Sequence, residues 1–181
     1  MAKIKHARQI ADLPKPYHTA AMAQIEKLTD WGAAIVGAAY IDLVVREALI
    51  AHNRRPHQDF GARIQRVFAI GIIGRRAYDD LCIIKDVRNA FAHSAQAMDF
   101  DHTDVTARCS ELWFAKTVIY DKRPMPSTAK ERFIRTIELL ADALLENIMR
   151  QKAGRPLSQF LMMGPPSPKG ASKSKPPQPK R

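Results

Sequence analysis

From Tyr17 onward the apolar residues of this chain return at three- and four-residue spacing, and almost no stretch alternates with the period of two that a half-buried strand shows. The pattern predicts an all-α fold. The stretch LTDWGAAIVGAAYIDLVVREALIAHN opens on a capping candidate, Thr29 or Asp30, and stays apolar nearly all round until NRRP breaks it, as a central bundle helix would. DFGARIQRVFAIGII and RRAYDDLCIIKDVRNAFAH predict two more helices separated around Gly74, and HTDVTARCSELWFAKTVIY predicts a fourth. RPMPS is a turn. STAKERFIRTIELLADALLENIMRQKA has a Ser/Thr start, Glu131 near its first turn, a clean apolar stripe and Gly154 beyond it, so it should be the longest helix. Beyond about residue 163 the sequence GPPSPKGASKSKPPQPKR has no apolar period and cannot offset its ordering entropy by burial. The expected organisation is a basic extension over 1–16, one helical domain over 17–153, and a largely disordered tail over 154–181.

Charge changes this picture less than its total suggests. Lys and Arg number 29 against 18 Asp and Glu, a formal net charge of +11. Residues 1–16 carry +3 and residues 154–181 carry +6, which leaves +2 for the helical domain. A nucleic acid would therefore meet the ends first, Lys173 and Lys175 among them, through phosphates and without regard to sequence. Arg54, Arg55, Arg75 and Arg76 lie in two connections and would form a phosphate-binding edge if those connections met, although solvated loop charge is the commoner outcome. The longest apolar run, GAAIVGAAYI, is too short to span a bilayer, and the N-terminus lacks a signal-peptide pattern. Cys82 and Cys109 have no metal-ligand spacing and read as free thiols, which fits a cytoplasmic protein. Asp99, Asp101, His102 and Asp104 are metal-friendly types at no recognised ligand spacing, so a polar loop and a helix start are expected there. Trp31 and Trp113 are expected to be packing anchors. No Gly-rich phosphate loop, nucleophile elbow or paired-carboxylate site is visible, and the expectation is no metal and no cofactor.

The unusual stretch is KDVRNAFAH, residues 85–93. Lys85, Asp86, Asn89 and His93 share the polar face of that helix, with Asn89 and His93 four residues apart. Arg88 projects from the edge of the apolar stripe, between the lines of Leu81 and Ile84, where a guanidinium needs a partner. Asp42 and Glu47, two acids in the apolar central helix, need partners as well. One reading pairs Arg88 with Glu47 or Asp42 as a buried interhelical ion pair, and nothing reacts. The other gives His93 proton transfer, Arg88 stabilisation of a phosphorane and Asn89 orientation, enough to cleave RNA through its own 2′-hydroxyl without metal.

RNAFAH resembles the R-x4-6-H signature of HEPN domains, a helical-bundle superfamily that includes metal-independent ribonucleases, toxins of toxin–antitoxin pairs and non-catalytic helpers. A broader resemblance runs from about residue 30 to 150, through GAAIVGAAYIDLVVREAL, DFGARIQRVFAIGIIGRRAYDDLCIIKDVRNAFAH, MDFDHTDV and KERFIRTIELLADALLE, whose order is similar to the MtlR family, the mannitol operon repressor and its relatives. The resemblance implies a HEPN-like or MtlR-like helical bundle with a regulatory role exercised through protein contacts. It also implies a homodimer, with a transcription factor or an antitoxin as candidate partner, whereas RNA or DNA is a candidate partner through the basic tail and the short apolar run leaves no membrane partner. The alternative it carries is an endoribonuclease built on Arg88, Asn89 and His93.

Overall fold

A computed structural model describes residues 15–94, 98–117, 124–157 and 159–162. Among these the chain is all-helical. Six helices follow in order: α1 (Lys15–Glu26), α2 (Asp30–Ala51), α3 (Phe60–Ala69), α4 (Arg75–His93), α5 (Thr103–Glu111) and α6 (Ala129–Lys152). Short 3-10 turns occupy Phe114–Lys116 and Gln159–Met162. No helix among the described residues is long and apolar enough to cross a membrane. The N-terminal extension and the tail, with Lys173 and Lys175, lie outside the described residues.

The helix starts follow the sequence closely. The Thr29 side chain accepts from Gly32 N at 3.3 Å and opens α2. Thr128 and Glu131 form a reciprocal capping box at the start of α6, each side chain satisfying a backbone N–H that the first turn leaves unpaired. Both helices stop by turning through a left-handed residue. Asn53 (φ 55°) after α2 lets Arg54 N donate to Leu49 O, and Gly154 (φ 65°) after α6 lets Arg155 N donate to Arg150 O.

The core is built on α2 and α6, which lie side by side and run in the same direction. Lys130 at the start of α6 reaches Asp30 and Leu28 O at the start of α2. Further along, Gly37 allows the close crossing, since a Cβ there would stand 3.0 Å from Ile137 Cδ1. Phe91, Phe100 and Phe133 stack through this core with centroids 5.1 and 5.3 Å apart. α1 is pinned across both long helices by His18, whose Nδ1 lies 2.6 Å from the Tyr40 hydroxyl and whose Nε2 lies 3.3 Å from Asp142.

Three stretches depart from the expected layout, the first being α1, which answers to no predicted helix and begins inside the expected 1–16 extension. The fourth predicted helix stops at Glu111, because Trp113 N and Phe114 N donate to the buried Asp80 carboxylate at 2.9 and 2.8 Å instead of continuing the helical ladder. The chain after α6 turns back, and Leu161 is fully buried while Gly74 N donates to its carbonyl at 2.7 Å. The folded part therefore reaches Met162.

Candidate functional site

The C-terminal half of α4 carries Arg88, Asn89 and His93. Leu81 and Ile84 on the neighbouring line are fully buried, yet Arg88 is exposed. The reason is the length of the covering helix. α3 runs back along α4, and its first turn reaches only the level of Lys85, where a Cβ on Gly61 would lie 3.6 Å from Lys85 Cδ. Arg88 sits one turn beyond that cover. Its Nη1 donates to Asn89 Oδ1 at 3.0 Å, a neutral acceptor that leaves the positive charge uncompensated. His93 is exposed at the end of α4, and its side chain makes no hydrogen bond or ion pair among the described residues. At about 100° per residue, Arg88 and His93 diverge by roughly 140° around the helix and about 7.5 Å along it. One copy of the chain thus holds Arg88 and His93 exposed and apart, with Asn89 half-buried.

The ion pair expected between Arg88 and Asp42 or Glu47 does not form. Asp42 receives Arg63 from α3 instead, with Nε to Oδ1 at 2.7 Å and Nη2 to Oδ2 at 2.5 Å. Arg63 is itself buried and spends Nη1 on His57 O and Gln58 O, so all of its charge faces acceptors. Glu47, also buried, takes Arg46 Nη1 at 2.8 Å. Burial raises the Glu47 carboxyl above its ordinary range, against the pull of Arg46. Nearby arginines on α2 and α3 had the shorter reach.

The other candidates fall into separate places. Arg54 and Arg55 are exposed just past α2, before α3 begins, while Arg75 and Arg76 open α4 after α3 ends. α3 stands between the two pairs, about 15 Å long, so they share no edge. Arg75 pairs with Asp79 at 2.8 Å. His102 caps α5 by accepting from Asp104 N at 3.4 Å, and Asp99 accepts from Asp101 N at 3.1 Å, so these groups organise a loop and a helix start. Trp113 packs edge-on against Phe114, with ring centroids 5.0 Å apart. Trp31, expected as an anchor, is 56% exposed.

A groove of about 460 Å³ between the first half of α4 and α5 was not anticipated. Arg76, Asp80, Arg108 and Trp113 line it, and Arg76 Nε is buried there without a hydrogen-bond partner among the described residues. Burial pushes Asp80 up to about 6, against the two backbone N–H groups that pull it down. A signal for Asp80 existed in the sequence, since it falls on the stripe of Ala77, Leu81, Ile84 and Val87, where an acid has no ordinary place. Compared with known proteins, the chain matches no family model, no curated protein and no solved structure, so the reading of its surface rests on its own residues.

Proposed function

We propose that this chain is an MtlR-like regulatory module of the cytoplasm, a homodimer that acts in transcriptional or stress regulation through protein contacts. The observation that carries this reading is the openness of the Arg88, Asn89 and His93 surface. A general base and a general acid must each come within about 3 Å of the oxygen whose proton they move, on one bound substrate. Here they diverge around a helix and line neither the groove between α4 and α5 nor the one at the start of α6 around Pro124 and Glu138. The second reading, a HEPN-type metal-independent ribonuclease or toxin–antitoxin component, is favoured by one fact. Arg88 is held by an amide rather than a carboxylate, so its charge is free to meet a phosphate.

Complementation separates the two. In cells lacking the protein, the His93→Ala variant should restore the wild-type transcript profile, and purified wild-type chain should not cleave a panel of RNAs in EDTA. Failure of a folded His93→Ala protein to complement, together with wild-type cleavage that leaves cyclic-phosphate ends, would replace the regulator with the ribonuclease.

A further inference from the structure

Helix α2 is apolar on the side that faces the core and remains apolar on the side that does not. Its open face carries Gly32, Val36, Ala39, Leu43, Arg46 and Ile50, at separations of four, three, four, three and four residues. Val36 is 45% exposed and Ile50 42%, Ala39 is exposed, and the other three are half-buried. Alternating threes and fours are the spacing at which one helix keeps a seam turned toward another helix. Val36, Leu43 and Ile50 form one line of that seam at intervals of seven, and Gly32, Ala39 and Arg46 form the other. Large residues lie on the first line; glycine and alanine lie on the second. Asp42, which borders the seam, is already neutralised by Arg63, and the Arg46 guanidinium is folded back onto Glu47. The face therefore presents almost no unpaired charge.

We propose that this seam is the surface through which two copies of the chain associate, α2 against α2 in antiparallel register. The proposal rests on the homodimer of the reading above and assigns it a place. In an antiparallel pair the first line of one helix meets the second line of the other. Sliding the two copies to one register brings Ile50 over the second copy's Gly32, Leu43 over the second copy's Ala39, and Val36 against the aliphatic stem of the second copy's Arg46. All three contacts fall at the same offset and each occurs twice, as a two-fold axis near Ile41 requires. Large side chains then fill the space that the small ones leave. Antiparallel alignment also sets the two helix dipoles head to tail.

Area sets the character of the contact. The 22-residue helix is about 33 Å long and offers a strip about 10 Å wide, roughly 300 Å² per copy, against the ~800 Å² per partner of a standard interface. Trp31 adds most of one large aromatic surface at the end of the seam, and α1 and α3 stand as shoulders on either side. The seam is thus the centre of a modest, exchanging dimer. Residues 1–14 hold three basic side chains, for which this nearly uncharged face offers no partner.

The test is sedimentation of the full chain with two kinds of variant. Wild type should rise toward twice the 20.4 kDa chain mass as its concentration is raised, and Ala39→Glu should stay at the single-chain mass with its thermal unfolding unchanged. The double variant Ala39→Cys with Leu43→Cys should form a disulfide-linked dimer on mild oxidation, since the register places each new thiol opposite the other. Ala92→Cys, on the exposed side of α4, should link no more than the wild-type background from Cys82. A wild-type chain that sediments as a monomer overturns both the dimer and its surface. A dimer that survives Ala39→Glu and is trapped through Ala92→Cys overturns this surface alone and moves the contact to α4.

Discussion

Arg63, and not Arg88, takes the buried ion pair that an apolar line asks of both. Arg63 sits on the stripe of Phe60, Ile64 and Val67, and it is Arg63 that the fold buries and neutralises. Replacing it with Ala leaves Asp42 facing a partly buried void, and stability measured by urea denaturation should fall by about 3–5 kcal/mol. Arg88→Ala, which removes an exposed side chain bonded to its neighbour's amide, should change stability by no more than about 0.5 kcal/mol. A helical wheel shows where a residue lies around its own axis. It holds no record of how far a neighbouring helix extends, and that length decided which arginine was covered. Both arginines carried the same signal in the sequence, an always-charged group on an apolar line, and only the packing of α3 told them apart.

Among the elements, the helices with caps and uninterrupted stripes were legible from residue types, as the capping box of α6 and the Thr29 cap of α2 illustrate. α5 was not, because its end is imposed from another helix through Asp80. That carboxylate has a testable signature. Its folded pKa of about 6 stands above the 3.8 of an ordinary Asp, so the folded state binds a proton more tightly than the unfolded chain does. The stabilisation it supplies is fully present below pH 3.8 and is lost as pH rises through about 6. Between those limits the loss is on the order of 2–3 kcal/mol. Asp80→Asn cannot titrate, and it replaces one of the two oxygens that accept from the Trp113 and Phe114 amides with an NH2 donor. The melting temperature of wild type relative to Asp80→Asn should therefore decline from pH 4 to pH 7. A difference that is flat or rises over that range would mean that the groove holds Asp80 ionised throughout.

For the whole molecule, the all-helical class and the order of the long helices could be read from the period of the apolar residues. What could not be read is the topology that closes the core. Leu161 completes it from beyond α6, and a methyl group at Gly74 would stand 2.9 Å from its carbonyl oxygen. A chain ending at Met162 should keep the wild-type melting temperature, whereas one ending at Gly154 should lose the roughly 2–5 kcal/mol that a buried leucine contributes. The same two chains locate any loose binding of nucleic acid. If the basic residues beyond 162 supply it, both truncations should abolish salt-sensitive binding in a titration at two ionic strengths; persistence would point to Arg54, Arg55, Arg75 and Arg76. The side-by-side course of α2 and α6 bears on how the chain is made. Gly37 finds Ile137 only after 100 further residues have been joined, which takes a ribosome about 5–20 seconds. During that interval the face of the apolar helix α2 that α6 covers has no partner. A nascent chain of this design depends on being shielded while it grows, and slowing translation between α2 and α6 should cost yield through aggregation before it alters the native state.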